Sequence, residues 1–196
     1  LLQILNLKNH QYDQQKKLWM ALRNQVGYYD EKERKMVTLP AVPFVTDKLN
    51  ASLGIRGIDF SPDGRLWVAG YNGYTAYFNQ AIRQWETVLD TGFLKNIQLK
   101  DGIVHIAVDG NYVWLSSINE HGLLAVDIKT KQVKQFTTTS KEGNLPTNHL
   151  LGLLKDPVQK NILWIGSYEG LIRFNTLTFH TSFYSINEGL PDNTVY

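Results

Sequence analysis

Cysteine is absent from the 196 residues of this chain, which excludes disulfides, thiolate metal sites and cysteine nucleophiles. Net charge is also small, because 20 Lys and Arg residues are set against 18 Asp and Glu residues and leave only +2. A domain whose main partner is nucleic acid needs a larger positive surplus. No apolar run reaches the roughly 18 residues that cross a bilayer. We therefore expect no nucleic-acid partner, and contact with a membrane only through other parts of a longer chain.

Motifs for catalysis and for cofactors are lacking as well. The sequence contains no nucleophile elbow, phosphate-binding loop, dinucleotide fingerprint, zinc-binding HExxH motif or EF-hand loop. None of its five histidines is at metal-ligand spacing from another; they are His10, His105, His121, His149 and His180. These observations predict that the region holds no cofactor and no metal and is not an enzyme.

Residues 8–35 differ from the rest in composition. They are rich in Lys, Arg, Gln and Glu, and apolar side chains recur there at every fourth position, as Leu18, Leu22 and Val26. This spacing predicts a helix from about Tyr12 to Val26, ended by Gly27. Two prolines further on indicate an extended connector. Residues 1–53 are thus predicted to be a helical segment followed by a connector.

A tryptophan repeat follows this region. Trp67, Trp114 and Trp164 are separated by 47 and 50 residues, and each is preceded by an apolar segment and followed by a turn and two further strand-like segments. Four short strands at such a period are typical of a β-propeller blade. The sequence therefore predicts an all-β fold of four-stranded antiparallel blades, about three in number and forming an incomplete ring. The predicted blades are residues 54–100, 101–144 and 145–189, and residues 190–196 start another.

The predicted second strands carry apolar residues on both faces. Leu66 and Val68 share one face, whereas Trp67 and Ala69 share the other. This alternation suits sheets that pack face to face around an axis. We expect the repeated tryptophans to be core residues, and the glycine after each to close a turn; these glycines are Gly73, Gly122 and Gly170.

Two short segments that open repeats carry a further pattern. Leu145-Pro146-Thr147-Asn148 and Leu190-Pro191-Asp192-Asn193 are 45 residues apart, and in each the proline and the Asn or Asp favour a tight turn before a strand. Together with Leu163-Trp164-Ile165-Gly166-Ser167, they make the chain resemble the two-component regulator propeller repeats. Such repeats build the periplasmic sensor region of bacterial hybrid two-component histidine kinases.

The resemblance implies a function in signal transduction. It suggests that the chain is a fragment of an extracytoplasmic, ligand-sensing propeller, which is not catalytic even though the intact chain would carry a histidine kinase. The implied partners are a small-molecule or oligosaccharide ligand, the remaining blades of the same polypeptide and a second copy in a homodimer. The implied location is the periplasm.

Candidate ligand-binding residues lie in the turns between second and third strands, because these turns share one face of a propeller around its axis. Aromatic rings beside hydrogen-bonding groups suit a carbohydrate. The candidates are Tyr71, Asn72, Asn119, Glu120, His121, Tyr168 and Glu169.

Two other functions stay open at this point. A propeller enzyme similar to the streptogramin lyases or the lactonases would need an acid or base at the axis, for which His105, His149 and Glu169 are the candidates. A protein-binding scaffold of the WD40 type is disfavoured, since the Gly-His and Trp-Asp pairs of those repeats are absent.

Overall fold

The computed structural model describes residues 10–22, 24–43, 54–70, 73–89 and 102–196. Sixteen strands in these residues form four antiparallel sheets of four strands each, and we call each sheet a blade. Blade 1 consists of β1 (His10–Tyr12), β2 (Leu18–Leu22), β3 (Gln25–Asp30) and β4 (Lys35–Thr38). Blade 2 consists of β5 (Ile55–Phe60), β6 (Leu66–Gly70), β7 (Thr75–Asn79) and β8 (Gln84–Leu89). Blade 3 consists of β9 (Ile103–Asp109), β10 (Tyr112–Ser117), β11 (Leu123–Asp127) and β12 (Val133–Phe136), and blade 4 of β13 (Leu150–Lys155), β14 (Ile162–Ser167), β15 (Leu171–Asn175) and β16 (Thr181–Tyr184).

The strands of every blade follow one another in chain order across the sheet. Consecutive blades are also neighbours in space, since β5 contacts β1 and β2, β9 contacts β5 and β6, and β13 contacts β9 and β10. The first strands are therefore innermost, as in a β-propeller. We call the end at which second strands pass to third strands the upper end, and the end at which first strands pass to second strands the lower end.

Blade 1 replaces the helix that the sequence predicts. The carboxylate of Asp13 accepts hydrogen bonds from the N–H groups of Gln15 and Lys17, at 2.9 Å each, so a turn joins β1 to β2 where the helix was expected to begin. Leu18 and Val26, which were expected on one helical face, lie on the two antiparallel strands β2 and β3. The helix prediction is wrong because a hairpin can produce the same four-residue spacing.

Gly27 has a different role from the predicted helix end. It lies inside β3, opposite Thr38 of β4. A Cβ at this position would come within 2.6 Å of the carbonyl oxygen of Val37. The glycine therefore allows β4 to approach β3 closely, and it stops no helix.

Three apolar cores lie between consecutive blades, and a second strand contributes to two of them. In β6, Leu66 and Val68 pack against blade 1, whereas Trp67 and Ala69 pack against blade 3. The second strand of blade 3 repeats this scheme between blades 2 and 4. The alternation predicted from the sequence is thereby confirmed, and burial on both faces explains why these strands contain so few polar residues.

A buried carboxylate joins the innermost strands of all four blades. Asp59 of β5 is 2% exposed and accepts hydrogen bonds from Gln11 Nε2 of β1 at 3.0 Å and from the N–H of Val108 of β9 at 2.6 Å. Lys155 Nζ of β13 lies 2.7 Å from the same carboxylate and donates to the carbonyl oxygens of Phe60 and Val108, at 3.0 Å each. We call Gln11, Asp59, Val108 and Lys155 the axial cluster. The cluster thus connects the innermost strands of the four blades near the lower end, and its charges and donors satisfy one another.

The chain continues past β16 along blade 4. A 3₁₀ helix spans Ile186–Glu188, and the hydroxyl of Ser185 accepts the N–H of Asn187 at its start. The N–H of Val195 then donates to the carbonyl oxygen of Ser167 in β14 at 2.9 Å. That residues 190–196 start another blade stays a prediction. The same holds for the blade boundaries drawn from the sequence.

Candidate functional site

Three candidate residues, Asn119, Glu120 and His121, lie in the turn between β10 and β11 at the upper end. The side chains of Asn119 and Glu120 are exposed, and His121 is half-buried. The amide of Gln135 in β12 donates to the carbonyl oxygen of His121 at 3.1 Å. This hydrogen bond ties the turn to the outer strand of its own blade.

Gly122 closes the same turn. Its carbonyl oxygen accepts the N–H of Ser117 at 3.0 Å. Its φ of 62° is in the left-handed region, and a Cβ would collide with the carbonyl oxygen of Phe136. The glycine lets the turn lie directly against β12, which fixes where the candidate side chains leave the sheet.

The equivalent turn of blade 4 is two residues shorter and carries Tyr168 and Glu169. The hydroxyl of Ser167 donates to the carbonyl oxygen of Gly170 at 2.8 Å and accepts the N–H groups of Glu169 and Gly170 at 3.2 and 3.0 Å. These hydrogen bonds use the backbone and leave both candidate side chains pointing away from the blade. The ring of Tyr168 is 48% exposed, so it offers a flat apolar surface at the upper end.

Tyr71 and Asn72 lie outside the described residues. Gly73, which follows them, donates its N–H to the carbonyl oxygen of Gly70 at 2.9 Å. The described part of the candidate site therefore consists of five residues on two adjacent blades. All five lie in turns at the upper end, and four of them, all but His121, are exposed.

Two buried hydroxyls beside the blade 3 turn escaped the sequence analysis. Ser116 and Ser117 are fully buried, and neither hydroxyl has a hydrogen-bond partner among the described residues. The residue of blade 4 that corresponds to Ser117 is Ser167, whose hydroxyl closes the shorter turn. The longer turn of blade 3 leaves Ser117 without this partner. A signal was present in the sequence, since serine replaces the glycine that precedes Ser167.

The repeated tryptophans share one place in the second strands, and the series has a fourth member. Trp19 of β2 precedes Trp67 by 48 residues. Trp19, Trp67 and Trp114 are buried, whereas Trp164 is half-buried. Sequence reasoning missed Trp19 because the surrounding segment was interpreted as a helix.

Three of these four indole N–H groups donate to a side chain near the lower end. The acceptors are Asp13 Oδ2 for Trp19 at 2.9 Å, Ser61 Oγ for Trp67 at 3.1 Å and Asp156 Oδ2 for Trp164 at 2.8 Å. The indole N–H of Trp114 is buried and has no hydrogen-bond partner within the ranges that the structure describes.

Two cavities of similar size open between blades at the lower end. The first groove, between blades 1 and 2, has a volume of about 400 Å³ and is lined by Trp19 and Tyr28 among others. The second groove, between blades 3 and 4, has a volume of about 410 Å³ and is lined by Tyr112, Trp114 and Phe179 among others. Both are within the range of small-molecule sites.

Carboxylates near the lower end act as hydrogen-bond acceptors. Hydrogen bonds from the N–H groups of Gln159 and Val158 and from the Trp164 indole hold the pKa of Asp156 below its ordinary range. The side chain of Arg65 lowers the pKa of Asp63 to about 2. Both carboxylates are ionised at neutral pH, which suits acceptors and does not suit general acids.

Residues suited to catalysis or metal binding are scattered in the described part of the chain. Half-buried His105 lies in β9, whereas His149 and Glu169 are exposed at the upper end. No group of three or more metal-ligating side chains occurs in the described residues. Within the same ranges, no helix has the length and apolarity needed to span a membrane.

Comparisons with known proteins identify similar structures only. No family model matches the sequence, and no curated protein is similar to it. The extracellular domain of a protein described as a hybrid two-component system of B. thetaiotaomicron superposes with a TM-score of 0.62 at 15% identity, over 95% of this chain and 25% of its own length. A second such domain from the same organism gives 0.58 at 18% identity, over 90% of this chain and 21% of its own length.

The fold also occurs in a different setting. A chain of a mitotic checkpoint complex superposes with a TM-score of 0.55 at 11% identity, over 89% of this chain and 64% of its own length. This chain spans about a quarter of the first extracellular domain. At such identities the likeness shows a shared fold, and with four four-stranded sheets in succession that fold is the β-propeller.

Proposed function

We propose that this chain is part of an extracytoplasmic, ligand-sensing propeller of a two-component signalling system. The observation that carries the proposal is the superposition of nearly the whole chain on two extracellular domains of hybrid two-component systems. The repeat pattern around Trp164 supports the same assignment independently of the coordinates. A shared fold alone would not choose a function, so the agreement of the two observations matters.

The sensed ligand is a small polar molecule, with an oligosaccharide as the first candidate, bound at the upper end. Tyr168 supplies an exposed ring, and Asn119, Glu120 and His121 supply hydrogen-bonding groups on the adjacent blade. Sugars combine apolar ring faces with hydroxyl groups, and this mixture matches theirs. The side chains of Gln135 and Ser167 hydrogen-bond to the backbones of these turns, which favours a site that is largely formed before a ligand arrives.

The proposed assembly extends beyond this chain. In a sensor of this kind, further blades of the same polypeptide would complete the propeller, two copies would form a homodimer, and the domain would lie in the periplasm. The likeness to extracellular domains supports the extracytoplasmic location.

A propeller enzyme of the lyase or lactonase type has less support. Such an enzyme needs an acid or base at the axis. The charged pair found there, Asp59 and Lys155, is engaged in hydrogen bonds to the surrounding strands. We therefore propose that the region binds its ligand without converting it.

Calorimetric titration with a panel of oligosaccharides tests this function. Tyr168→Ala and Glu120→Ala should each weaken binding by about tenfold, or about 1.4 kcal/mol, without a change in thermal stability. Tyr29→Ala and Glu33→Ala are the matched controls, because both residues are exposed on blade 1, and they should bind normally. The recovered sugar should be chemically unchanged. Equal losses in the controls would refute the site, and turnover of the sugar would refute the sensor.

A further inference from the structure

We propose that the second groove, between blades 3 and 4, binds a small aromatic molecule that carries one uncharged oxygen acceptor, such as an amide or a ketone. The groove opens at the lower end of the blades. The ligand proposed above binds at the upper end, so this inference does not depend on it.

A buried hydrogen-bond donor lies beside the groove. Trp114 lines the cavity and is 2% exposed, and its indole N–H has no acceptor among the residues that the structure describes. Buried polar groups are nearly always hydrogen-bonded, and leaving one unpaired is unfavourable. The N–H is closed to solvent, so a ligand oxygen gains this hydrogen bond by displacing the side chains that cover it.

The length of the lower hairpin explains why blade 3 lacks the acceptor. In blades 1, 2 and 4 the acceptor stands two residues after the strand residue that pairs with the tryptophan; these acceptors are Asp13, Ser61 and Asp156. In blade 3 this position is Asp109, two residues after Ala107. Asp109 is paired with Tyr112 across a two-residue turn, and so it remains in the ladder.

The longer turns of blades 1 and 4 also fix their aspartates. One oxygen of Asp13 accepts the N–H groups of Gln15 and Lys17, which leaves the other oxygen for the indole of Trp19. A two-residue turn offers no such N–H groups to Asp109. The backbone conformation of this hairpin thus explains why the Trp114 indole lacks an acceptor.

The walls of the groove fit an aromatic ring. The rings of Tyr112 and Trp114 lie 6.0 Å apart between centroids, at 46° to each other. Phe179 and Leu177 of blade 4 and Val133 of blade 3 add apolar surface, while Thr130, Gln132 and Thr176 add polar groups to the lining. Aromatic rings favour such tilted and edge contacts, and the volume of about 410 Å³ leaves room for a ligand of one or two rings.

The charges around the groove favour an uncharged acceptor. Lys134 lies 3.8 Å from the centroid of the Phe179 ring, but its ammonium also pairs with Glu142 at 3.2 Å. Asp127 lines the cavity and accepts the N–H groups of Thr130 and Lys129 at 2.8 Å each. The N–H of Thr130 is the largest cause that keeps the pKa of Asp127 below its ordinary value, so this carboxylate is ionised and repels an anion.

Indole resonances of the ¹⁵N-labelled chain provide the test. The five tryptophans give five indole signals, and Trp114→Phe identifies that of Trp114. Benzamide should move this signal downfield in a saturable manner. Toluene has the ring without the acceptor and should cause no downfield shift, and benzoate, which is anionic, should need a higher concentration. The Trp19 signal is the matched control and should stay in place.

A variant of the first groove tests whether loss of the indole acceptor is enough to create the same response. Asp13→Ala removes the acceptor of Trp19 in a cavity of about 400 Å³, so the Trp19 signal should become responsive to benzamide. The proposal is overturned if benzamide leaves Trp114 in place, moves all five signals alike or fails to move Trp19 in the variant. A stronger response to benzoate than to benzamide would overturn the choice of an uncharged acceptor.

Discussion

The first and second grooves have nearly equal volumes and a tryptophan from the same place of a blade in each, yet the two indoles differ in their hydrogen bonds. Trp19 donates to Asp13, whereas the indole N–H of Trp114 has no acceptor in the described part of the chain. The difference begins in the lower hairpins, because the turn after β9 is the shorter one. The length of the lower hairpin thus decides whether the indole of a repeated tryptophan has a hydrogen-bond acceptor in its own blade.

Loss of the axial cluster should give the largest effect, because the cluster joins the innermost strands of all four blades. Asp59→Ala would leave Gln11, the N–H of Val108 and the ammonium of Lys155 without their acceptor. Removing one partner of a buried ion pair costs about 3–5 kcal/mol. Urea unfolding followed by circular dichroism should show a loss of this size, and the indole signals of Trp19 and Trp114 should both move.

Asp63→Ala is the control for this prediction. Asp63 lies in the lower hairpin of the same blade and pairs with Arg65, but both side chains are about half exposed. An exposed pair of this kind contributes at most about 1 kcal/mol. If the two variants are equally stable, the axial cluster does not hold the blades together. Lys155→Met, combined with Asp59→Ala in a double-mutant cycle, should show coupling between the two positions.

The sequence predicted a blade at each of the three tryptophans that were recognised as a repeat. The spacing of Trp67, Trp114 and Trp164 led to propeller blades, and the alternation within β6 predicted which side chains face which neighbour. Blade 1 was missed although Trp19 continues the same spacing. Lys and Gln are good helix formers, and the three-residue strand β1 gives almost no periodic signal.

Some features of the structure could not be predicted from the sequence, because they depend on strand pairing and on contacts between distant residues. Asp109 occupies the position of an indole acceptor, and only the pairing with Tyr112 shows that it cannot act as one. The axial cluster joins residues that are 48, 49 and 96 positions apart from Asp59. Of the candidate site, the sequence placed Tyr168 and Glu120 in turns, whereas the unpaired hydroxyl of Ser117 required the structure.

A smaller effect should come from the same substitution made in each groove. Trp19→Phe and Trp114→Phe both lose part of a buried ring. Only Trp19→Phe also loses a hydrogen bond to a carboxylate, whereas Trp114→Phe removes a donor that has no partner. Trp19→Phe should therefore be the more destabilising by about 1–3 kcal/mol, measured by urea unfolding. In an Asp13→Ala background, the two substitutions should destabilise the protein equally. If Trp19→Phe remains the more destabilising there, the difference comes from packing and not from the hydrogen bond.

The smallest effect is a difference in the acid response of the two indoles. Burial raises the pKa of Asp13, but hydrogen bonds from the Trp19 indole and from the N–H groups of Lys17 and Gln15 outweigh it, so this pKa lies below its ordinary value of 3.8. The stabilisation that the carboxylate provides is therefore present above 3.8 and is lost as the pH falls through the lower pKa of the folded protein.

Trp114 has no carboxylate acceptor, and so its indole signal should stay in place while that of Trp19 moves. A titration of the ¹⁵N-labelled chain from about pH 6 to about pH 2, with circular dichroism to verify the fold at each point, measures both signals together. Asp13→Asn keeps an oxygen acceptor that cannot titrate, so the Trp19 signal should become insensitive to acid in that variant. If Trp114 responds as strongly as Trp19, then Asp109 reaches its indole in solution, and the contrast between the two grooves would not hold.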